Sequence, residues 1–597
     1  MGATLPVSST GMEHAAGIDF GVIEVVGVIG IVVIVLVAAF SRRLGIAAPI
    51  FLVVIGVGIS YAPGVPELEV PHEFVLDVLL PPILYAAAIR LSFVDFRRNL
   101  GTIVSLSVVL VVVTAFGTGF VLFDSLDRLD LAAGIALGAV LSPPDAVAAT
   151  AVGRRLGLPP RLLVVLEGEG LVNDATALVL FGSAVALVGA KAEVNLLLTA
   201  EQFAFAVVTA VVIGLIVGVV TVAVRSRLDD SVLATAISIT VPFLAFAPTN
   251  AIGASGVLAV VVAGLYTGYA NPGSVSVLTR TSDRINWSTI QFLLENAVFL
   301  LIGLQIRSLV EDVDANSSEL SLTSTIALGL LATVILIALR FLWVGPLVLL
   351  LKLREQHAEA RTLRSLQFLQ ARLREPAAGF RRKRISALRR RYTRQRADLE
   401  QLRSQSIDWR GGVVLGWSGM RGVVTLAAAQ SLPDVPYRSQ LILIAFVVAV
   451  VTLLLQGGTL PALIRALRIS GIDEEEDQQQ LAALLDELSF TGLAVLDDPS
   501  GVVDSTTDVD PEVIERVRQA SYLRAEAAWE RSHSGHLPLE ATPHRLFRRL
   551  RLAVVEAERE HLLELRRQGL YPARIEDRAQ ALLDLEEARL RPARSDH

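Results

Sequence analysis

Runs of about twenty apolar residues recur along this chain, and they fix its surroundings before any motif is read. A helix needs about 20 such residues to cross an apolar layer roughly 30 Å thick. About thirteen candidates occur before residue 468, at roughly 20–40, 46–61, 74–90, 101–123, 130–153, 161–188, 200–224, 231–247, 252–270, 286–306, 322–351, 410–430 and 438–465. The chain is 53% hydrophobic, above the roughly 45–50% usual for a soluble globule. The expected class is an all-α polytopic membrane protein.

The loops provide a separate test of the count, because Lys and Arg gather on the cytoplasmic side. Arg42 and Arg43 follow span one, Arg90 with Arg97 and Arg98 span three, and Arg154, Arg155 and Arg161 span five. Arg225 with Arg227 and Arg280 with Arg284 follow spans seven and nine. The even-numbered loops are acidic or neutral, as in P-G-V-P-E-L-E-V-P-H-E and E-D-V-D-A-N-S-S-E. A misread span would flip this alternation downstream of it.

The expected organisation is an extracytoplasmic amino terminus (1–19), spans one to eleven (20–351), a basic cytoplasmic insert (352–409), spans twelve and thirteen (410–468) and a helical cytoplasmic tail of regulatory or accessory kind (469–597). The amino terminus would lie outside the cytoplasmic membrane and the carboxyl terminus inside. The first Lys or Arg is Arg42, so 20–40 reads as a true span and not as a secretory signal, which would start with a basic segment. The insert, with R-R-K-R at 381–384 and R-R-R at 389–391, suits a solvated helical hairpin or contact with anionic lipid. It has almost no interleaved aromatics for base stacking, so nucleic acid is not an expected partner.

The chain has no cysteine, and its eight histidines all fall outside the spans. Disulfides, thiolate metal sites and cysteine nucleophiles are thereby excluded. Any proton carrier within the membrane has to be a carboxylate. No Ser/Lys or metal-ligand cluster stands out either, so an embedded enzyme is disfavoured and no cofactor is expected.

Six charged side chains sit deep in spans: Asp145, Glu169, Asp174, Glu295, Arg340 and Arg421. At the helical rise, counting from Arg161, Asp174 lies roughly 20 Å into the layer and Glu169 about 12 Å. Charge at that depth is costly and marks a partner or a task. Four acids against two arginines leave up to two carboxylates facing an ion, a proton or water even if every pair forms. Glu169 and Asn173 are four apart and share a helix face, with Asp174 adjacent. Glu24 and Asp77, near outer span ends, read as interfacial.

Two spans are also interrupted. Span five contains S-P-P-D at 142–145, where Pro143 and Pro144 remove backbone donors. Span twelve contains G-W-S-G-M-R-G at 416–422, with Gly419 and Gly422. The two are seven spans apart, so equivalent spans run in opposite directions, as in inverted repeats. Discontinuous helices at matching places in two halves point to a transport site where they cross.

These residues also carry a family likeness. L-S-P-P-D-A-V-A followed by L-E-G-E-G-L-V-N-D-A resembles the type-1 monovalent cation:proton antiporters, the bacterial sodium/proton exchangers. L-L-P-P-I-L-Y at 79–85, F-L-L-E-N-A-V-F-L-L-I-G around Glu295, A-L-R-F around Arg340 and G-M-R-G at 419–422 add to it. The likeness covers all thirteen spans, and E-L-R-R-Q-G-L and L-D-L-E-E-A-R-L in the tail resemble bacterial members.

The resemblance implies that Asp174 binds the monovalent cation or the proton, with Asp145, Ser142 and the oxygens of the unwound part of span five completing the site. It implies that Asn173, in the place of a second aspartate found in electrogenic relatives, goes with one-for-one electroneutral exchange. Glu169 and Arg340 resemble the family's structural pair, in a charge network with Glu295 and Arg421. Two oxygen ligands of many relatives are missing: Gly170 stands for a serine, and Ala86, Ala87 and Ala88 stand where an acid often follows the L-P-P segment. A buried carboxylate can be neutralised by a proton or by a cation but poorly by both at once. The implied activity is therefore exchange of Na+, Li+ or K+ for H+ by a homodimer, serving pH and cation homeostasis. The alternatives are a K+-preferring antiporter, and a cation channel or uniporter that uses the broken helices as a pore.

Overall fold

The computed structural model describes residues 20–469 apart from 45–47, 64–70, 189–195, 229, 275–276, 316–319, 375–391 and 393–406, and in the tail 543–568 with scattered positions. The amino terminus, the arginine runs of the insert and the acidic opening of the tail lie outside the described residues, as do the side chains of Glu24, Arg42 and Arg43. The chain forms two compact units, 1–469 and 470–597.

Among the described residues the first unit is helical throughout, with no strand. The helices are α1 Phe20–Leu44, α2 Ala48–Ser60, α3 Leu80–Arg90, α4 Phe93–Val104, α5 Leu110–Ser125, α6 Leu131–Leu141, α7 Ala146–Arg155, α8 Pro160–Val185, α9 Leu196–Arg225, α10 Ser231–Ala251, α11 Gly256–Ser274, α12 Val277–Leu304, α13 Ile306–Ala315, α14 Leu322–Arg374, α15 Trp409–Trp417, α16 Val423–Gln430, α17 Arg438–Thr452 and α18 Gly458–Leu467. Wide π turns at Phe74–Leu79, Ser105–Val109 and Leu453–Gly457 lead into α3, join α4 to α5 and join α17 to α18. Seven of the described spans are long and apolar enough to cross a membrane by length and composition. The α8 helix is not one of them: Arg161, Glu167, Glu169 and Asp174 interrupt its apolar run.

Local chemistry sets the ends that matter. Gly157, at φ +69°, turns the chain after α7 where a side chain would be strained. Pro160 then opens α8 at a position whose N–H would be unsatisfied anyway. Ser92 caps α4, its hydroxyl accepting from the Asp95 N–H at 3.4 Å. Packing is close: a Cβ on Gly119 of α5 would lie 2.7 Å from the Ile135 Cα of α6, the backbone approach that small residues permit between membrane helices.

Two apolar cores run through the unit. One gathers α2, α6, α12 and α17 around Leu137, Phe299 and Leu441. The other gathers α3, α9, α10, α11 and the first half of α12 around Tyr85, Val260 and Trp287. The α8 helix belongs to both, giving Ala184 to the first and Leu171 and Ala175 to the second.

Several boundaries differ from those read in the sequence; α12, for one, starts at Val277, nine residues before 286. The fourth helical segment begins at Phe93, eight residues before the apolar run at 101, because its first turns are amphipathic. Helix α13, Ile306–Ala315, follows span ten as an element of its own. The helix of span eleven runs on beyond the apolar run that ends at 351: α14 continues to Arg374, roughly 80 Å in all. The apolar run stops at Lys352 there, but the leucine spacing that favours a helix does not.

The second unit contains helix α19, Pro543–Gln568. Its Arg551 Nε donates to Glu586 at 2.7 Å, and Arg559 pairs with Glu587.

Candidate functional site

Two broken helices meet in the first unit. The α6 helix stops at Leu141, Ser142 turns its hydroxyl back to the Gly138 carbonyl at 2.6 Å, and Pro143 and Pro144 pass through buried before α7 resumes. Asp145 caps α7, Oδ1 accepting from the Val147 N–H at 2.8 Å. The α15 helix likewise stops at Trp417, the Ser418 N–H still donating to the Val414 carbonyl at 2.8 Å, and Gly419 to Gly422 lie outside any helix until α16. The Asp145 N–H donates to the Met420 carbonyl at 2.6 Å, so one break is bonded to the other. The approach is tight enough that a Cβ on Gly422 would lie 2.5 Å from the Asp145 Oδ2.

Breaking two helices in an apolar interior leaves carbonyls at two C-terminal ends and N–H groups at two N-terminal ends without partners. Arginines serve the carbonyls. Arg421 Nε donates to the Leu141 carbonyl at the end of α6, at 2.8 Å, and Nη1 to Gly419. Arg340 Nε donates to the Leu415 carbonyl near the end of α15 at 2.9 Å. Asp145 faces both N-terminal ends, capping α7 and lying against Gly422 at the start of α16. Cations at the negative ends and a carboxylate at the positive ends match the helix dipoles. Gly419 makes room: a Cβ there would sit 2.7 Å from the Arg340 Cδ and 3.0 Å from the Arg421 Nη1.

The α8 helix brings its polar residues to these breaks. Glu169 is 1% exposed and takes both Arg340 Nη groups, at 2.6 and 2.9 Å. Asn173 is fully buried; its Nδ2 donates to the Pro144 carbonyl at 2.8 Å, and its Oδ1 has no partner. Asp174, half-buried, makes no hydrogen bond or ion pair among the described residues and is close enough to Asp145 for the two charges to repel. Gly170 packs on the first turn of α7, where its Cβ would come within 2.5 Å of the Ala146 Cβ. A serine in its place would have to displace that turn.

Glu295 and Arg421 do not join Glu169 and Arg340 in one network. Arg421 is occupied by carbonyls, a role invisible in a count of charges. Glu295 accepts from the Gln291 amide, and the Gln291 Oε1 in turn accepts from Arg90 Nη2 at 2.5 Å. Three of the four deep acids therefore lack an arginine of their own, one more than the balance of charges suggests. The Gln291–Glu295 spacing of four was a readable signal for this link. Arg90, on α3, had no such signal. Two further contacts that the sequence does not reveal hold the first turn of α8: Arg161 Nε donates to Asn99 of α4 at 2.9 Å, and its Nη1 pairs with Glu355 of α14. A third, Arg225 with Asp283, lies buried between α9 and α12.

The sodium/hydrogen exchanger family model, described as its transmembrane part, matches residues 31–466. The chain belongs to this family. An uncharacterised Na+/H+ exchanger of Mycobacterium tuberculosis is 29% identical over 96% of this chain and 97% of its own length. The Na+/H+ antiporter ApNhaP of Aphanothece halophytica is 28% identical over 74% of this chain and 73% of its own. The fold resembles that of the sodium proton antiporter MjNhaP1 from Methanocaldococcus jannaschii, with a TM-score of 0.53 at 18% identity, covering 75% of this chain and 98% of that one. As a member of this family, the chain is a multi-pass membrane protein, and the family is one of secondary cation/proton antiporters, which are transporters rather than enzymes. Monovalent cations and protons are the substrates this family implies.

Proposed function

We propose that the chain exchanges Na+, or Li+ or K+, for H+ one-for-one at Asp174, across the cytoplasmic membrane, in pH and cation homeostasis. The observation that carries this reading is the Asp174 carboxylate: it has no partner among the described residues and stands beside two broken helices whose other charges are all engaged. Asp145 Oδ2, the Asn173 Oδ1 and the Ser142 hydroxyl are the oxygens nearest in role for completing a cation shell; Asn173, uncharged, keeps the exchange electroneutral. Thirteen spans with the amino terminus outside, inverted repeats whose discontinuous helices (142–145 and 416–422) cross, and a homodimer complete the proposal, with no cofactor.

Charge competition supplies the mechanism. A proton or a cation on Asp174 neutralises it and lets the site pass through the apolar layer, whereas the empty, charged site is penalised. Exchange follows because only loaded forms move. Arg340 and Arg421 stay bound to carbonyls and Glu169 throughout, so the net charge that changes is that of Asp174 alone.

Asp174→Asn tests this in everted vesicles carrying a pH-sensitive dye. The expected result is loss of the dequenching that Na+, Li+ or K+ produces in the unaltered protein, at equal protein yield. Exchange retained in that variant refutes the assignment.

A further inference from the structure

Two buried side chains beside the second break carry polar atoms with nothing to bond. Gln456, fully buried, has neither its Oε1 nor its Nε2 partnered among the described residues, and Ser418, 2% exposed, has no partner for its hydroxyl. They belong to two segments that run past each other. At one end the Trp417 Nε1 donates to the Thr459 Oγ1 at 2.9 Å, and at the other the Arg421 N–H donates to the Thr452 Oγ1 at 2.9 Å. Between these contacts a Cβ on Gly457 would lie 2.9 Å from the Met420 Sδ. Ser418 therefore lies opposite the stretch that holds Gln456. The wide π turn Leu453–Gly457 keeps Gln456 one turn beyond Thr452, on the side that faces the break.

We propose that Gln456 and Ser418 hold a buried water between the second break and the π turn. Neither residue is among the oxygens assigned to the cation at Asp174, and the inference stands whether or not that acid is the exchange site. A carboxamide accepts at Oε1 and donates at Nε2, so a ligand that satisfies both ends has to donate as well as accept. A monovalent cation cannot take the Nε2 hydrogens, and the Arg421 guanidinium, bonded to the Gly419 carbonyl in the same segment, repels it. An anion cannot serve Oε1. Water does both, and buried waters typically make about three hydrogen bonds to polar groups that otherwise lack partners. Left dry, the carboxamide and the hydroxyl would each forfeit the bonds they make to water in the unfolded chain.

The chain carries its own reporter. Of its three methionines, Met1, Met12 and Met420, the last lies beside the site and is fully buried. X-ray radiolysis of the full-length protein in nanodiscs turns bound water into hydroxyl radical, which oxidises a neighbouring thioether, so Met420 should be labelled despite its burial. Trp287, 1% exposed with its Nε1 donating to the Ser238 hydroxyl at 3.0 Å, is the dry control and should stay unmodified. Gln456→Leu and Ser418→Ala should each abolish the Met420 label. Gln456→Leu should also lower the unfolding temperature, because it takes a partner from the water, whereas replacing a dry carboxamide by an apolar group of similar size would raise it. An unlabelled Met420 in the unaltered protein, a label that persists in either variant, or a higher unfolding temperature in Gln456→Leu overturns the site. If Gln456→Leu fails to assemble, Ser418→Ala decides: loss of the label supports the water, and its persistence overturns it.

Discussion

Three carboxylates on α8 lie within eight residues of one another and meet three different environments. Glu167 pairs with Arg154 two turns into α8, where the arginine side chain is 60% exposed. Glu169, two residues on, is buried against Arg340 with both oxygens engaged. Asp174 is half-buried and has no partner among the described residues. The contrast separates what each charge does. The wet pair is screened by water, the dry pair joins α8 to α14, and the unpaired acid is free to take a proton or an ion. A helix that carried only the dry pair would be well held and inert; one that carried only the free acid would have nothing to hold that acid beside the breaks.

The sharpest way to break this comparison is to neutralise the free acid. Asp174→Asn should abolish exchange while leaving thermal unfolding in detergent unchanged, because no partner is stranded. A fall in stability comparable to that of a broken ion pair would mean that Asp174 is also structural. Arg340→Ala should do the reverse in kind, lowering stability by about 3–5 kcal/mol, the cost of leaving a buried carboxylate alone, and cutting membrane yield. Removing both charges with Glu169→Gln and Arg340→Met should recover most of that loss. The remainder should persist, since the Leu415 carbonyl still lacks its donor. Unchanged unfolding in Arg340→Ala would end the structural reading of the pair.

Between those two acids lies the contact with α7, and it sharpens the comparison at smaller scale. Gly170→Ser supplies the hydroxyl that many relatives carry, but its Cβ would come within 2.5 Å of the Ala146 Cβ. Overpacking of this kind costs about 1–3 kcal/mol. Ala146→Gly in the same chain should restore stability, and only then should any change in the relative rates with Na+, Li+ and K+ be read as an effect of the added oxygen. If the single variant is as stable as the parent, the close packing is not what keeps a glycine there.

Much of this arrangement is legible in the sequence, and the rest has physical reasons for being hidden. The helical character, the two breaks and the acids on α8 can be read because proline, glycine and charge are conspicuous in apolar runs. The partner of Arg421 cannot, because a carbonyl left over by a broken helix has no letter of its own. The reach of α14 past Lys352 is hidden from a hydropathy reading, which registers loss of apolarity but not continued helical spacing. Gly170 is conspicuous only through a relative's serine, and the reason for it is the Ala146 methyl more than twenty positions earlier. Gln291 could have been found from Glu295 by counting one turn back; Arg90, from another helix, could not.

The smallest effect should come from the wet pair. Arg154→Gln removes the partner of Glu167, the carboxylate closest in sequence to the dry pair, yet the stability change should stay within about 1 kcal/mol, as for exposed ion pairs elsewhere. Water and headgroups at the rim can solvate Glu167 as Arg154 did, and the long arginine side chain is released from a constrained geometry. Raising the salt concentration should shrink even this difference, since exposed charges are screened over about 10 Å at 0.1 M, while the cost of Arg340→Ala should hardly respond. A salt-insensitive loss of several kcal/mol in Arg154→Gln would place Glu167 with Glu169 in the dry interior, and the distinction drawn along α8 would then fall on Asp174 alone.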